Sequence, residues 1–107
     1  MQYKVVVTDF AQNQLDNILF YIRFNLENRE AVVNVLDDFE ETISRLSYAA
    51  ESLRFCPESN LAELGYRKIS FQRHSYLMLY LINDGEVHVD RIYHELQDYA
   101  NLPENVI

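Results

Sequence analysis

The spacing of apolar and polar positions changes character partway along this chain. Residues 2–7, QYKVVV, predict a short strand. Thr8 is placed to cap a helix, and Asp9 in the first turn suits the positive end of its dipole. Ala11, Leu15, Ile18, Ile22 and Leu26 then recur at steps of four and three, which defines one face of a helix. Tyr21 and Phe24 lie off that line. The stretch NLEN, residues 25–28, breaks the pattern. Val32, Leu36, Phe39, Ile43, Leu46, Ala50 and Leu53 keep a single phase for about six turns, predicting a longer second helix. The short break between the two implies an antiparallel helix hairpin. Residues 54–64, RFCPESNLAEL, read as one long connection in which Pro57 excludes regular helix.

After residue 65 the period falls to two. Arg67, Ile69 and Phe71 share one strand face, with Lys68, Ser70 and Gln72 on the other. Residues 76–82 are apolar on both faces, which marks a central strand covered on both sides. Asn83, Asp84 and Gly85 form a hairpin turn signal, because Asp and Gly tolerate positive φ. Residues 86–94 complete a meander, and a short helical turn is expected at 96–100. The predicted fold is a two-layer α+β domain over residues 1–107: an N-terminal strand, an antiparallel helix hairpin that buries its stripes on the sheet, then a three-stranded antiparallel meander.

Composition narrows the function classes. Hydrophobic residues make up 49%, with eight Tyr and six Phe, so a packed domain is expected rather than disorder. Cys56 is alone, which fits a reducing cytoplasm and allows no internal disulfide. No apolar run reaches the roughly 18 residues that span a membrane, and the first ten residues do not read as a secretion signal. The net charge is −8, which argues against a general nucleic-acid binder. The acids are uneven, however. Asp37, Asp38, Glu40 and Glu41 cluster on what reads as the solvated side of the second helix, whereas residues 65–83 carry Arg67, Lys68 and Arg73 and no acid at all.

Candidate chemistry is sparse. His74, His88 and His94 lack the spacings of a zinc site, and both glycines stand isolated, so neither a metal nor a phosphate-cradling loop is expected. No cofactor is implied. His94 ends the last strand, where side chains leave the sheet, and a histidine exchanges protons near neutral pH. The same residue can instead close the strand by bonding to backbone or to Asp98. Arg67 can grip a phosphate with two parallel bonds, or pair with a nearby acid. Lys68 and Arg73 read as surface charges or phosphate contacts. Tyr93 and Tyr99 are candidates for stacking on bases, while Tyr76 and Tyr80 alternate with core positions.

Taken in order, GYR at 65–67, YLMLY at 76–80, EVHVDRIYH at 86–94 and QDYANL after it, together with the leading strand, helix hairpin and proline loop, resemble the RelE/ParE superfamily of bacterial toxins. The resemblance covers nearly the whole chain. It implies a growth-arresting toxin of a type II toxin–antitoxin (plasmid stabilization) system, with a cognate antitoxin as partner. RelE-like members cut messenger RNA on the ribosome; ParE-like members poison DNA gyrase and are not nucleases. By position, Arg67 matches the sheet arginine of the nucleases and His94 their terminal-strand histidine, with Lys68, Arg73 and Tyr93 as substrate contacts. The ending, His94 to Asp98 followed by Tyr99 and Leu102, looks more like ParE. Three readings follow: a gyrase-binding inhibitor, a ribosome-dependent endoribonuclease, or a non-toxic relative that binds only antitoxin. A homodimer is compatible with each.

Overall fold

The computed structural model describes residues 2–101. Strand β1 covers Lys4–Val7 and helix α1 covers Asp9–Phe20. Thr8 caps α1 as its sequence position predicts, its hydroxyl accepting from the Ala11 N–H at 3.1 Å. Helix α1 runs on into a π-helical stretch at Tyr21–Asn25, and after a turn with Glu27 at φ 51° helix α2 spans Arg29–Ala49. A 3₁₀ turn, Ala50–Ser52, ends it. A short helix α3, Ser59–Glu63, precedes strands β2 (Arg67–Ser70), β3 (Tyr76–Asn83) and β4 (Glu86–His94), and a 3₁₀ turn lies at Tyr99–Asn101.

The strands form one sheet in the order β1-β4-β3-β2. The last three are the expected antiparallel meander, and β1 lies parallel to β4, with Lys4 opposite Glu86. Asp84 and Gly85 both take positive φ, 50° and 79°, which closes the β3–β4 hairpin with the twist that its strands require. Leu79 pairs with Arg91 but Tyr80 with Val89, so Asp90 is the extra residue of a bulge in β4. Strand β3 is covered on both faces, and β4 on its helix-facing side and at Tyr93 on the other. Met78, Tyr80, Val87 and Val89 pack under the helices with Leu15, Val35 and Leu46. Leu77, Leu79 and Tyr93 face the other way, against Cys56 and Leu61 of the α3 segment. The architecture is the two-layer α+β arrangement expected from the pattern, with α3 as a small cover on the outer face.

Several local expectations are corrected. Leu26 was expected in the buried stripe of the first helix but is 58% exposed. The π-helical winding adds a residue to the turn after Ile22, so the position four residues on rotates off the core. The stripe of α2 is displaced by a fraction of a turn. Its buried line is Val35, Asp38, Phe39, Thr42 and Leu46, while Val32, Leu36 and Ile43 flank it half-buried. The apolar count missed this because two of the five buried positions are polar. The 54–64 connection contains α3: Pro57 lies before the helix, where it interrupts nothing. The C-terminal helical turn falls at Tyr99–Asn101, later than expected.

Candidate functional site

Arg67 opens β2 with its side chain on the helix-covered face. Its guanidinium donates to the carbonyls of Leu53 at 2.6 Å and Glu51 at 3.2 Å, and lies 4.1 Å from the Phe55 ring centre. Tyr80, its partner across the β2–β3 ladder, donates its hydroxyl to the Ala50 carbonyl at 2.8 Å. Burial pushes the Tyr80 phenol up to about 12, so it is a permanent donor. A helix end leaves carbonyls without partners and carries negative partial charge. Arg67 and Tyr80 satisfy those carbonyls just past α2, which gives the sheet arginine a structural occupation.

His94 is the last residue of β4. Its ring meets Tyr76 edge-on at 5.4 Å. Its Nδ1 accepts from the Leu96 N–H at 3.1 Å, its own N–H donates to Gln97 Oε1 at 2.8 Å, and its carbonyl accepts from the Gln97 N–H at 3.0 Å. The neutral ring in this geometry carries its proton on Nε2. These bonds close the strand. The partner across the ladder is Tyr76 for His94 and Tyr80 for Arg67, so the two are four residues apart along β3, about 13 Å, with that strand between them. The sheet directs both to one face but does not bring them together.

Lys68 and Tyr93 do converge, on the outer face and through Tyr99. Tyr93 and Tyr99 stack with rings 12° from parallel and 5.7 Å apart, and Lys68 Nζ donates to the Tyr99 hydroxyl at 3.2 Å. Burial works against the Lys68 ammonium, but Tyr99, Glu58 and Cys56 outweigh it and hold its pKa above the usual value. Nearby, Tyr66 donates to the Asp90 carboxylate that the bulge brings round; burial first, and Asp90 second, push its phenol up to about 12. Arg73 lies in the β2–β3 loop and pairs with Glu41 at 2.8 Å in the open. Among the described residues no three His, Cys, Asp or Glu side chains gather as a metal site would need, and no helix is long and apolar enough to cross a membrane.

The group that sequence reasoning misplaced is Asp38. It was assigned to the solvated acidic face, yet it is 0% exposed. Its Oδ1 accepts from the Gln72 N–H at 3.1 Å, and its Oδ2 accepts from the Arg73 N–H at 2.9 Å and meets His74 Nδ1 at 2.7 Å. Its own backbone carbonyl accepts from the Thr42 hydroxyl at 2.7 Å. Burial raises the cost of the charge, but His74 and the two N–H donors more than offset it and hold the carboxyl below the usual Asp value. A polar cavity of about 350 Å³, lined by Asn34, Asp37, Arg73 and His74, opens beside this junction. One signal was available: Asp38 and Thr42 stand three and seven residues after Val35, on one helical line.

This arrangement of a helix hairpin over a mixed four-stranded sheet is found in a solved toxin–antitoxin structure, described as the chromosomal ParDE TA system from P. aeruginosa. The match has a TM-score of 0.70 at 18% identity and covers 87% of this chain and 96% of that one. The likeness is one of fold. The family model for the ParE toxin of the type II toxin-antitoxin system, parDE, matches residues 5–99, and the chain belongs to this family. It is thus a RelE/ParE-superfamily toxin of the type II class. A search of curated protein sequences found no match.

Proposed function

We propose that this toxin arrests growth by binding DNA gyrase in the cytoplasm, and that a cognate antitoxin neutralises it. Family membership over residues 5–99 supports the gyrase reading over the nuclease one. The observation that carries the choice is the separate engagement of Arg67 and His94. RNA cleavage at a 2′-hydroxyl needs a proton-transfer group and a cation around one phosphate. Here the arginine serves the carbonyls beyond α2, and the histidine closes β4 four residues further along the ladder. The net charge of −8 also opposes docking into ribosomal RNA.

The test uses purified toxin in two assays. In the first, gyrase and plasmid DNA are incubated with toxin, and supercoiling and trapped cleavage complexes are measured. In the second, programmed ribosomes are assayed for cut messenger RNA. Inhibition of gyrase with intact messenger supports the proposal. Cut messenger, lost in folded Arg67→Ala or His94→Ala variants, overturns it in favour of the nuclease. Activity in neither assay, with antitoxin binding intact, supports the non-toxic relative.

A further inference from the structure

The fully buried Asp38 holds an imidazole at the edge of a cavity. His74 Nδ1 lies 2.7 Å from Asp38 Oδ2. With that carboxylate ionised, Nδ1 donates, and the neutral ring keeps an acceptor at Nε2. Nε2 is on the far side of the ring from Asp38 and has no hydrogen-bond partner among the described residues. The cavity that His74 lines has about 350 Å³ and takes its other walls from Asn34 and Asp37 of α2 and from Arg73 in the β2–β3 loop. That is room for a small molecule. Asn34 and Asp37 stand three residues apart, so one face of α2 presents both. Among the described residues Asp37 forms no salt bridge, and the Asn34 side chain makes no hydrogen bond. Arg73 differs, because its guanidinium pairs with Glu41 at 2.8 Å and that carboxylate balances its charge. The carboxylate left without a counterion at the cavity is Asp37.

We propose that this cavity binds a small primary amine. Its ammonium group has three N–H donors, and the walls offer three acceptors: the Asp37 carboxylate, His74 Nε2 and the Asn34 side-chain oxygen. Charge and ligand count exclude the other occupants. An anion would meet the Asp37 and Glu41 carboxylates on a chain of net charge −8. A metal ion would need a third His, Cys, Asp or Glu, and no such group of three gathers among the described residues. Asp38 is not available for that purpose, since both its oxygens already accept from the loop. A bound amine would join α2 to the β2–β3 loop from outside, as Asp38 joins them from within. Neither Arg67 nor His94 lines the cavity, and amine binding does not depend on the toxin's target.

The test titrates isotope-labelled toxin with n-butylamine at neutral pH, followed by nuclear magnetic resonance, beside sodium chloride of matched ionic strength. In wild type the His74 ring nitrogens and the amides of residues 34–37 and 72–74 should shift and saturate with the amine. The melting temperature should rise with amine concentration, because the amine binds only the folded chain. Asp37→Asn and Asn34→Ala replace exposed side chains, so both should melt as wild type does without amine. Asp37→Asn removes a charge-assisted hydrogen bond and should weaken binding about tenfold or more. Asn34→Ala should weaken it less. Wild type that shows no saturable shift at those residues overturns the site. Shifts that sodium chloride reproduces reflect only the screening of an acidic surface, and they overturn it too. Equal amine affinity of wild type and folded Asp37→Asn removes the carboxylate from the site and overturns the assignment. Inorganic phosphate that shifts the same signals where butylamine does not assigns the cavity to an anion and overturns the proposal.

Discussion

The carboxylate of Asp38 and the imidazole of His74 meet at 2.7 Å, joining the middle of α2 to the loop between β2 and β3. With the Gln72 and Arg73 N–H groups on the same carboxylate, one buried side chain fixes the path of the loop. Asp38→Ala would leave those donors without a partner inside the protein. The expected loss is about 3 kcal/mol, measured by urea unfolding. Asp38→Asn, which keeps one acceptor oxygen, should lose less. Equal stability of Asp38→Ala and wild type would refute the latch.

The same carboxylate sets a pH dependence. Its folded pKa is depressed below the ordinary 3.8, so the unfolded chain takes up the proton first as pH falls. The stabilisation is therefore complete above the ordinary Asp value and is lost as pH falls from there through the depressed folded value. Unfolding curves from pH 7 to pH 2 should show wild type converging on Asp38→Asn at the acid end. A constant gap across the range would contradict this.

Arg67→Ala removes two hydrogen bonds and the Phe55 stack. It should destabilise the domain by about 1–3 kcal/mol. His94→Ala should cost about 1 kcal/mol for its single ring hydrogen bond. On the gyrase proposal, both variants, once folded, should inhibit gyrase at the wild-type level per folded molecule. Thermal melts beside supercoiling assays separate the two effects.

Phe39 sits in the core with its ring centre 6.3 Å from that of Phe71, linking α2 to the strand end beyond β2. Phe39→Asp places an unpaired charge there, and the cooperative melt should disappear. A wild-type melt would mean that the residue faces solvent.

The parts legible in the sequence are those where one residue type has one physical reading. Asp84 and Gly85 announce the tight turn, and the bounds of β4 follow from alternation after it. Thr8 announces the start of α1. What escaped reading depends on partners distant in the chain. Asp38 looks like a surface acid until the N–H groups of residues 72 and 73 are set beside it. Arg67 bonds the carbonyls of residues 51 and 53, partners that no spacing in the sequence announces. Leu26 fits the apolar step of α1 and fails only because the helix changes its winding one turn earlier. The convergence of Lys68 and Tyr93 depends on Tyr99 folding back from beyond β4.

The place of β4 in the sheet bears on when the protein becomes complete during its own synthesis. β4 lies between β1, made near the start of translation, and β3, with Lys4 paired to Glu86. Contacts so far apart in the chain form late and slowly. Until residues 86–94 leave the ribosome, the first strand has no strand to pair with and the helices have only part of a sheet to lie on. A nascent chain stopped before that point lacks the strand that joins its two ends, so the surface that an antitoxin meets should be whole only with nearly complete synthesis.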